Sequence, residues 1–368
     1  EECGERGVKG AIVISAGFSE IGRRDLEEKL VRTARKYNLR IIGPNCAGIM
    51  YTPSRLFASF EMRCSHGNIA FLTQSGALGA AVLAWLEEEQ MGLCAFVSYG
   101  NQCDVDEAEL LEYFAEDDHT KAVAMYVEGI KSGRRFIEKG RRLSRRKPFC
   151  VLKGGISEAG AKAVASHTGS LAGSYAIYRA VARKAGALWV WDVEELFDAS
   201  VALANLPLPK GRKLAIVTNS GGPGVLLADK AQEIGYSLPP PPQELVKELR
   251  FLPEIASLSN PFDLTAQATA DDYALTLEAI LNSKFYDAVA VICVPPLFLD
   301  SLEVAKKLEI HFKNPEIPVL SCWMSGSLIR EALRWLRSRG VVCYPRLWRT
   351  ANALRALLNR AKMLGIIN

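Results

Sequence analysis

One histidine sits in a stretch with almost nothing bulky to anchor it. His167 lies in Ile156–Gly173, ISEAGAKAVASHTGSLAG, a run of small residues in which Thr168 and Gly169 follow it directly. Such a stretch reads as a loop that presents its histidine or carries it between places, whereas a lone histidine is ordinarily a packing or surface residue. Neutral imidazole is a usable nucleophile at physiological pH, and a carboxylate on one ring nitrogen fixes the tautomer that leaves the other free to attack. Glu128, in Tyr126-Val127-Glu128-Gly129 at the carboxyl end of an expected strand, offers that carboxylate. Thr73-Gln74-Ser75-Gly76-Ala77 reads as a turn from strand into helix. The free N–H groups and positive dipole end of such a helix suit a phosphate. Together these residues describe phosphoryl transfer to a histidine, with His167 as carrier, Glu128 as its orienting partner and Ser75, Gly76 and Ala77 as the phosphate cradle. Ser220, Gly221 and Gly222 form a like turn, read either as a second anion site or as an inherited one. His66, His119 and His311 fall in polar turns or after an amphipathic helix, and Cys46 reads as a small buried residue.

The elements that must position these groups come in two copies. Ile69–Gly79, IAFLTQSGALG, matches Leu214–Gly224, LAIVTNSGGPG, at a constant offset, and each reads as strand, Ser-Gly turn and helix. Further matches pair NQCD (Asn101–Asp104) with NPFD (Asn260–Asp263), Ala122-Val123-Ala124 with Ala288-Val289-Ala290, and the strand after Lys147-Pro148 with the one after Ile317-Pro318. Two flavodoxin-like parallel sheets in tandem are expected, joined by the Pro-rich linker Leu206–Gly211, with Pro239–Pro242 a surface connection in the second. The copies differ where the chemistry is expected. Only the first inserts the His167 stretch, and Val294-Pro295-Pro296 stands where the first has Glu128-Gly129. Ahead of both copies, GAIVISAGF (residues 10–18), a helix near Arg24–Tyr37 and a strand at Leu39–Ile42 give a β-α-β order. Its ligand-facing carboxyl ends are Ser15, Ala16, Gly17 and Phe18, and Gly43, Pro44 and Asn45. Two strands and a helix without a Gly-rich first turn read as the rear half of a nucleotide-type domain whose front half is absent. Tyr51–Gly67 reads as an irregular linker, and the expected divisions are 1–60, 61–206 and 207–368.

Composition bounds the alternatives. Of 368 residues, 49% are hydrophobic and 23% charged, and 45 basic against 41 acidic residues leave a net +4, as in a globular protein rather than a disordered one. The one basic excess, Arg134–Lys147, reads as the solvated face of a helix rather than a nucleic-acid patch. Nine cysteines without a CxxC pair speak for reduced thiols in the cytoplasm and against a disulfide frame or zinc site. No apolar run reaches a membrane span of about 18 residues.

The motifs GAIVISAGF, IIGPNCAGI, LTQSGALG, YVEG, KGGISEAG with SHTGSLAG, TNSGGPG and NPFDLT run through essentially the whole chain in order. Together they resemble the alpha subunit, or alpha-like half, of the NDP-forming acyl-CoA synthetases. That family includes ADP-forming acetyl-CoA synthetase and is related to succinyl-CoA synthetase. The resemblance implies an α/β chain with a partial Rossmann-like CoA-binding domain followed by two tandem flavodoxin-like parallel-sheet domains. It also implies a reversible ligase reaction through acyl phosphate and phosphohistidine. His167 then matches the phosphorylated histidine, Glu128 the glutamate that steadies it, and Ser75 and Gly76 the helix end that receives the phosphate. Ser15, Ala16, Gly17, Phe18, Pro44 and Asn45 match the CoA domain's rear edge near the thioester. CoA or acyl-CoA, the free acid and phosphate are the implied small molecules. ADP or ATP and Mg come with an ATP-grasp beta subunit or domain, in a hetero-oligomer without nucleic acid, membrane or a metal site of this chain's own. The competing reading is a non-catalytic acyl-CoA-sensing or scaffold module, such as the synthetase-like region of a protein acetyltransferase, or an inactive fragment.

Overall fold

A computed structural model describes residues 1–168 and 174–367, and for residues 165–168 the backbone alone. The chain divides into two compact units, Glu1–Ser200 and Val201–Asn368.

The first unit opens with a short helix α1 (Glu2–Glu5), then β1 (Gly10–Ile12), α2 (Arg24–Lys36) and β2 (Arg40–Ile42). The two strands pair in parallel, Gly10 with Arg40 through Ile12 with Ile42, over a small core of Ala34, Leu39 and Ile41. This is the expected β-α-β order, with the first strand shorter than GAIVISAGF suggested.

The rest of the unit is built on one seven-stranded sheet. In chain order it contains β3 (Gly48–Tyr51), β4 (Leu56–Ser59), β5 (His66–Thr73), α3 (Gly76–Glu88), β6 (Leu93–Ser98), α4 (Glu107–Glu116), β7 (Ala122–Val127) and α5 (Gly133–Arg146). It continues with β8 (Phe149–Lys153), α6 (Glu158–Thr168), α7 (Tyr175–Ala185), β9 (Leu188–Val190) and α8 (Val193–Asn205). The strand order is β4-β3-β6-β5-β7-β8-β9, parallel from β6 to β9. The central strands are buried along their length, as expected of parallel strands covered on both faces. On one face Val123, Met125, Val127, Phe149 and Val151 pack with Leu111, Phe114, Phe136 and Leu143 of α4 and α5. On the other, Phe71 meets Phe197 of α8 edge-on at 5.2 Å.

Two expectations change here. The presumed linker after Tyr51 contains a strand: β3 and β4 form an antiparallel hairpin about the turn Thr52–Ser54, and β3 pairs antiparallel with β6. Gly48–Ser59 therefore belongs to the seven-stranded sheet. The turn is held by the Thr52 hydroxyl, which donates to the Leu93 carbonyl at 2.8 Å, and the adjoining Tyr51 hydroxyl donates to Asp117 at 2.5 Å. The second change is the His167 stretch, which is helical over Glu158–Thr168. Its alanines have the highest helix propensity of any residue, although they offer no bulky periodic face to read in the sequence.

The second unit holds β10 (Leu214–Thr218), α9 (Gly221–Ile234), α10 (Gln243–Glu248), β11 (Phe262–Asp263), α11 (Ala270–Asn282), β12 (Ala288–Cys293) and α12 (Ser301–Phe312). It ends with β13 (Val319–Trp323), α13 (Arg330–Ser338), β14 (Cys343–Tyr344) and α14 (Leu347–Met363). Its sheet runs β11-β10-β12-β13-β14, all parallel. Numbered from its own first strand, that is 2-1-3-4-5, the order that β6-β5-β7-β8-β9 shows in the first unit and that defines the flavodoxin-like winding. The duplication is thus structural, with one exception. NQCD and NPFD are alike in letters but not in position: Asp263 pairs with Thr218 inside the sheet, whereas the residue pairing with Thr73 is Ser98, and Asn101–Asp104 follow the strand.

The basic helix α5 is neutralised by its neighbour. Arg135 pairs with Asp106, Lys139 with Glu112 at 2.9 Å, and Arg142 with Glu112 and Glu116 at 3.0 and 2.9 Å. No described helix is long and apolar enough to cross a membrane.

Candidate functional site

The first unit contains a cavity of about 1160 Å³ at the carboxyl end of its sheet. Its walls are Gln74–Ala77 at the start of α3, Glu128–Lys131 after β7, Asn45–Ala47, Gly100–Cys103 after β6, Tyr178 of α7, and one side of α2. The sheet order explains the meeting. β5 and β7 are neighbours, Thr73 paired with Tyr126, so the turn leaving β5 and Glu128 leaving β7 come out side by side.

The turn has a definite local chemistry. The Thr73 hydroxyl donates to the Ser75 carbonyl at 2.9 Å and accepts from the Ser75 N–H at 3.1 Å, folding the chain out of the strand. Ser75 then caps α3, its hydroxyl oxygen accepting from the Leu78 N–H at 3.2 Å. Gly76 and Ala77, whose N–H groups have no partner within the helix, line the cavity at the positive end of a thirteen-residue helix. Gly79 lets the helix descend onto the sheet: a β-carbon there would sit 2.9 Å from the Phe96 ring.

Gln74 joins this turn to the carboxylate. Its side-chain oxygen accepts the N–H groups of Glu128 and Gly129, the latter at 2.9 Å, and its amide nitrogen donates to the Gly129 carbonyl at 2.9 Å. The second unit has the same device with a shorter amide: Asn219 accepts from the Val294 N–H at 2.9 Å and donates to its carbonyl at 3.0 Å. Glu128 is only 8% exposed, and its Oε1 accepts from the Tyr126 hydroxyl at 3.3 Å. Burial, with the Glu128 charge beside it, pushes the Tyr126 phenol well above its ordinary range and keeps it a donor.

The equivalent turn of the second unit differs in charge. A β-carbon on Gly221 would lie 3.1 Å from the Asp263 carboxylate, whereas one on Gly76 would meet the Ala47 methyl at 3.3 Å and the Ser98 hydroxyl at 3.9 Å. The turn at Ser220, Gly221 and Gly222 already has an anion against its helix end, and Ser220 makes no side-chain cap bond. The turn at Ser75, Gly76 and Ala77 has a neutral hydroxyl there, which is the better setting for an incoming phosphate.

Of the sequence candidates, Ser75, Gly76, Ala77, Glu128 and Asn45 share the cavity wall. Ser15 lies next to it, its carbonyl accepting from the Asn45 N–H at 3.0 Å, and the Pro44 carbonyl accepts from Asn101 at 2.9 Å. Ala16, Gly17 and Phe18 are not among its lining residues, and the Phe18 N–H donates to Glu20 at 3.0 Å. His167 lies in the last turn of α6, its side chain outside the described residues, as are Gly169–Gly173. Sequence reasoning did not single out Gln74, Asn101 or Tyr178. Asn101 accepts from the Asn45 amide at 3.2 Å and donates to Ser19 and Glu27, both at 3.1 Å, tying the β1–β2 layer to the cavity. No group of three His, Cys, Asp or Glu side chains among the described residues could hold a metal ion.

Cys46 touches the cavity but is a wall. It is 5% exposed, its thiol bonds the Val13 carbonyl at 3.4 Å, and burial pushes the thiol pKa up, away from the reactive thiolate. Cys46→Ala is expected to keep the parent's turnover while losing about 1 kcal/mol of stability, read from kinetics and thermal unfolding of the same preparations.

Comparison with known proteins gives a consistent picture. Residues 66–203 match the succinyl-CoA ligase like flavodoxin domain and residues 214–362 the ligase-CoA domain. The alpha subunit of ADP-forming acetate–CoA ligase II from Pyrococcus furiosus is 43% identical over 99% of this chain and 81% of its own length. The alpha subunit of enzyme I from the same organism is 41% identical over 98% of this chain and 79% of its own. Among solved structures, the dinucleotide forming acetyl-coenzyme A synthetase 1 of Ca. Korarchaeum cryptofilum, in complex with phosphate and ADP, superimposes with a TM-score of 0.94. It is 39% identical, covering 99% of this chain and 80% of that one.

Proposed function

The chain belongs to the ADP-forming acetyl-CoA synthetases, acid–thiol ligases related to succinyl-CoA ligase, and we propose that it is their catalytic alpha subunit, acting through a phosphohistidine at His167. One observation carries the reading: a buried carboxylate, Glu128, and the positive N-terminus of α3, at Gly76 and Ala77, line one cavity in the unit whose inserted helix bears His167.

The chemistry follows from those groups. Phosphate attacks the acyl-CoA thioester carbonyl, the C–S bond breaks, and CoA leaves from an acyl phosphate. The free ring nitrogen of His167 then attacks phosphorus. The P–O bond to the acyl group breaks, the electron pair leaves with the carboxylate, and the imidazole carries the phosphoryl group. Glu128 holds the opposite ring N–H and stabilises the cationic ring formed during attack, while Gly76 and Ala77 N–H groups take the phosphoryl oxygens. Transfer from phosphohistidine to ADP completes ATP. On this reading CoA binds beside Ser15–Phe18, Pro44 and Asn45, of which Asn45 lines the cavity. The nucleotide is assigned to an ATP-grasp beta subunit, with the Mg that its phosphates hold accompanying it. The nine cysteines, none of them in a disulfide in the structure, suit a reducing cytoplasm.

The test is reconstitution. The chain with an ATP-grasp partner is expected to form ATP from acetyl-CoA, phosphate and ADP, and neither component alone should do so at a comparable rate. ATP formation by the chain alone would remove the need for the partner, and no ATP from any reconstituted pair would sink the ligase assignment for this chain.

A further inference from the structure

Lys153 ends β8 in an unusual position for a lysine. It is 7% exposed, in a strand otherwise made of Phe149, Cys150, Val151 and Leu152. Its partner in register is Val127, and the Gly154 N–H donates to the Val127 carbonyl at 2.9 Å, so Lys153 and Gly154 run beside Val127 and Glu128. The ammonium donates to the carbonyl of Gly154 and stands 4.5 Å above the ring of Tyr178, which lines the cavity with Glu128. No carboxylate among the described residues lies within ion-pair distance of it, and residues 165–173 contain no Asp or Glu.

Burying an ammonium is expensive without an anion to answer it. Burial pushes the Lys153 ammonium below its ordinary value, and the charge of Glu128 acts the other way. Glu128 follows Val127, the register partner of Lys153, and is the carboxylate whose charge reaches it. On the phosphohistidine reading, a phosphoryl group brought to Glu128 by His167 adds about two further negative charges beside that carboxylate. Like charges at such a site repel strongly in a low dielectric, and a fixed cation nearby lowers the energy of the charged state without reorganisation.

We propose that Lys153 is the charge-compensating residue of the phosphorylated enzyme, a positioning residue that acts through Glu128 and Tyr178 to hold the phosphoryl group at this end of the cavity. The inference rests on the phosphohistidine reading given above. The turn around it fits the role. A β-carbon on Gly154 would come 2.3 Å from the Tyr126 hydroxyl, and Gly155 adopts a φ of +74°, so Lys153 is fixed at the root of the segment that leads into α6.

The test uses the chain with its ATP-grasp partner, labelled from γ-phosphate-labelled ATP and Mg²⁺, with phosphohistidine counted as acid-labile, base-stable label. Lys153→Met is expected to lower both the steady-state label and the half-life of the isolated phosphoenzyme by about tenfold, with kcat falling and the KM for acyl-CoA unchanged. Lys153→Arg, which keeps the charge, is expected to retain most of the label. A Lys153→Met enzyme with the parent's thermal transition and the parent's phosphoenzyme overturns the proposal, as does Lys153→Arg losing as much label as Lys153→Met. Should Lys153→Met fail to fold, Lys153→Gln takes its place with the same expectations. An unlabelled parent would overturn the phosphohistidine reading and this one with it, whereas a labelled parent matched by Lys153→Met overturns this one alone.

Discussion

His167→Ala is expected to lose all acid-labile phosphate and at least roughly a thousandfold in ATP formation, while keeping the parent's fold. The side chain is the proposed covalent carrier, and no other histidine can stand in for it. His66 bonds the Thr52 hydroxyl at 3.0 Å beneath the β3–β4 turn, and His119 sits edge-on to Tyr51 at 6.1 Å. His311 is on α12 of the second unit, where burial pulls its pKa down. Structural cost should be small, because α6 is an inserted helix and none of its described side chains belongs to the core of the sheet. The readout is label from γ-phosphate-labelled ATP alongside the thermal transition. Parent-level labelling of His167→Ala would move the phosphoryl acceptor elsewhere and end the assignment.

Glu128→Gln is the second large effect. The amide keeps the size of the carboxylate and can still bond the Tyr126 hydroxyl, but it can no longer stabilise a cationic imidazole. The expected loss in kcat lies between roughly a hundredfold and ten-thousandfold, with phosphoenzyme forming slowly. Binding of acyl-CoA should change little, since the carboxylate is not placed at the CoA edge. If Glu128→Gln turned over at the parent rate, Glu128 would be a buried structural acid and the orienting role would have to be sought elsewhere.

The parts of this arrangement that were legible in the sequence were those written in strand patterns and turn chemistry. LTQSGALG and TNSGGPG announce strand, turn and helix because Ser-Gly punctuation ends an apolar run, and the structure puts both where they were expected. The absence of Glu128 from the second copy was visible at Val294, and the register of β7 and β12 confirms that the two positions correspond. Other features left no periodic trace. The β3–β4 hairpin consists of strands of four residues joined by a turn with Pro53, too short for alternation to separate from a linker. α6 is made of alanines and small polar residues, so its helicity comes from backbone propensity and not from an apolar stripe. The alignment of NQCD with NPFD failed because four matching letters do not fix a register. The weight of Lys153 and Gln74 could not be read at all, since burial and side-chain reach exist only after the sheet has ordered its strands.

Gln74 has one more implication. By clamping Gly129 at 2.9 Å from both sides of its amide, it makes the start of α3 and the end of β7 into a jig, with the separation between the proposed phosphate donors and the carboxylate set when the chain folds. A jig of this kind is indifferent to what is brought to it. On the proposed mechanism, acids of different size, once activated to acyl phosphates, would present the same phosphorus to the same fixtures. On that mechanism selection among acids would operate where the acyl group lies, and a change of substrate preference could evolve without retuning the chemistry.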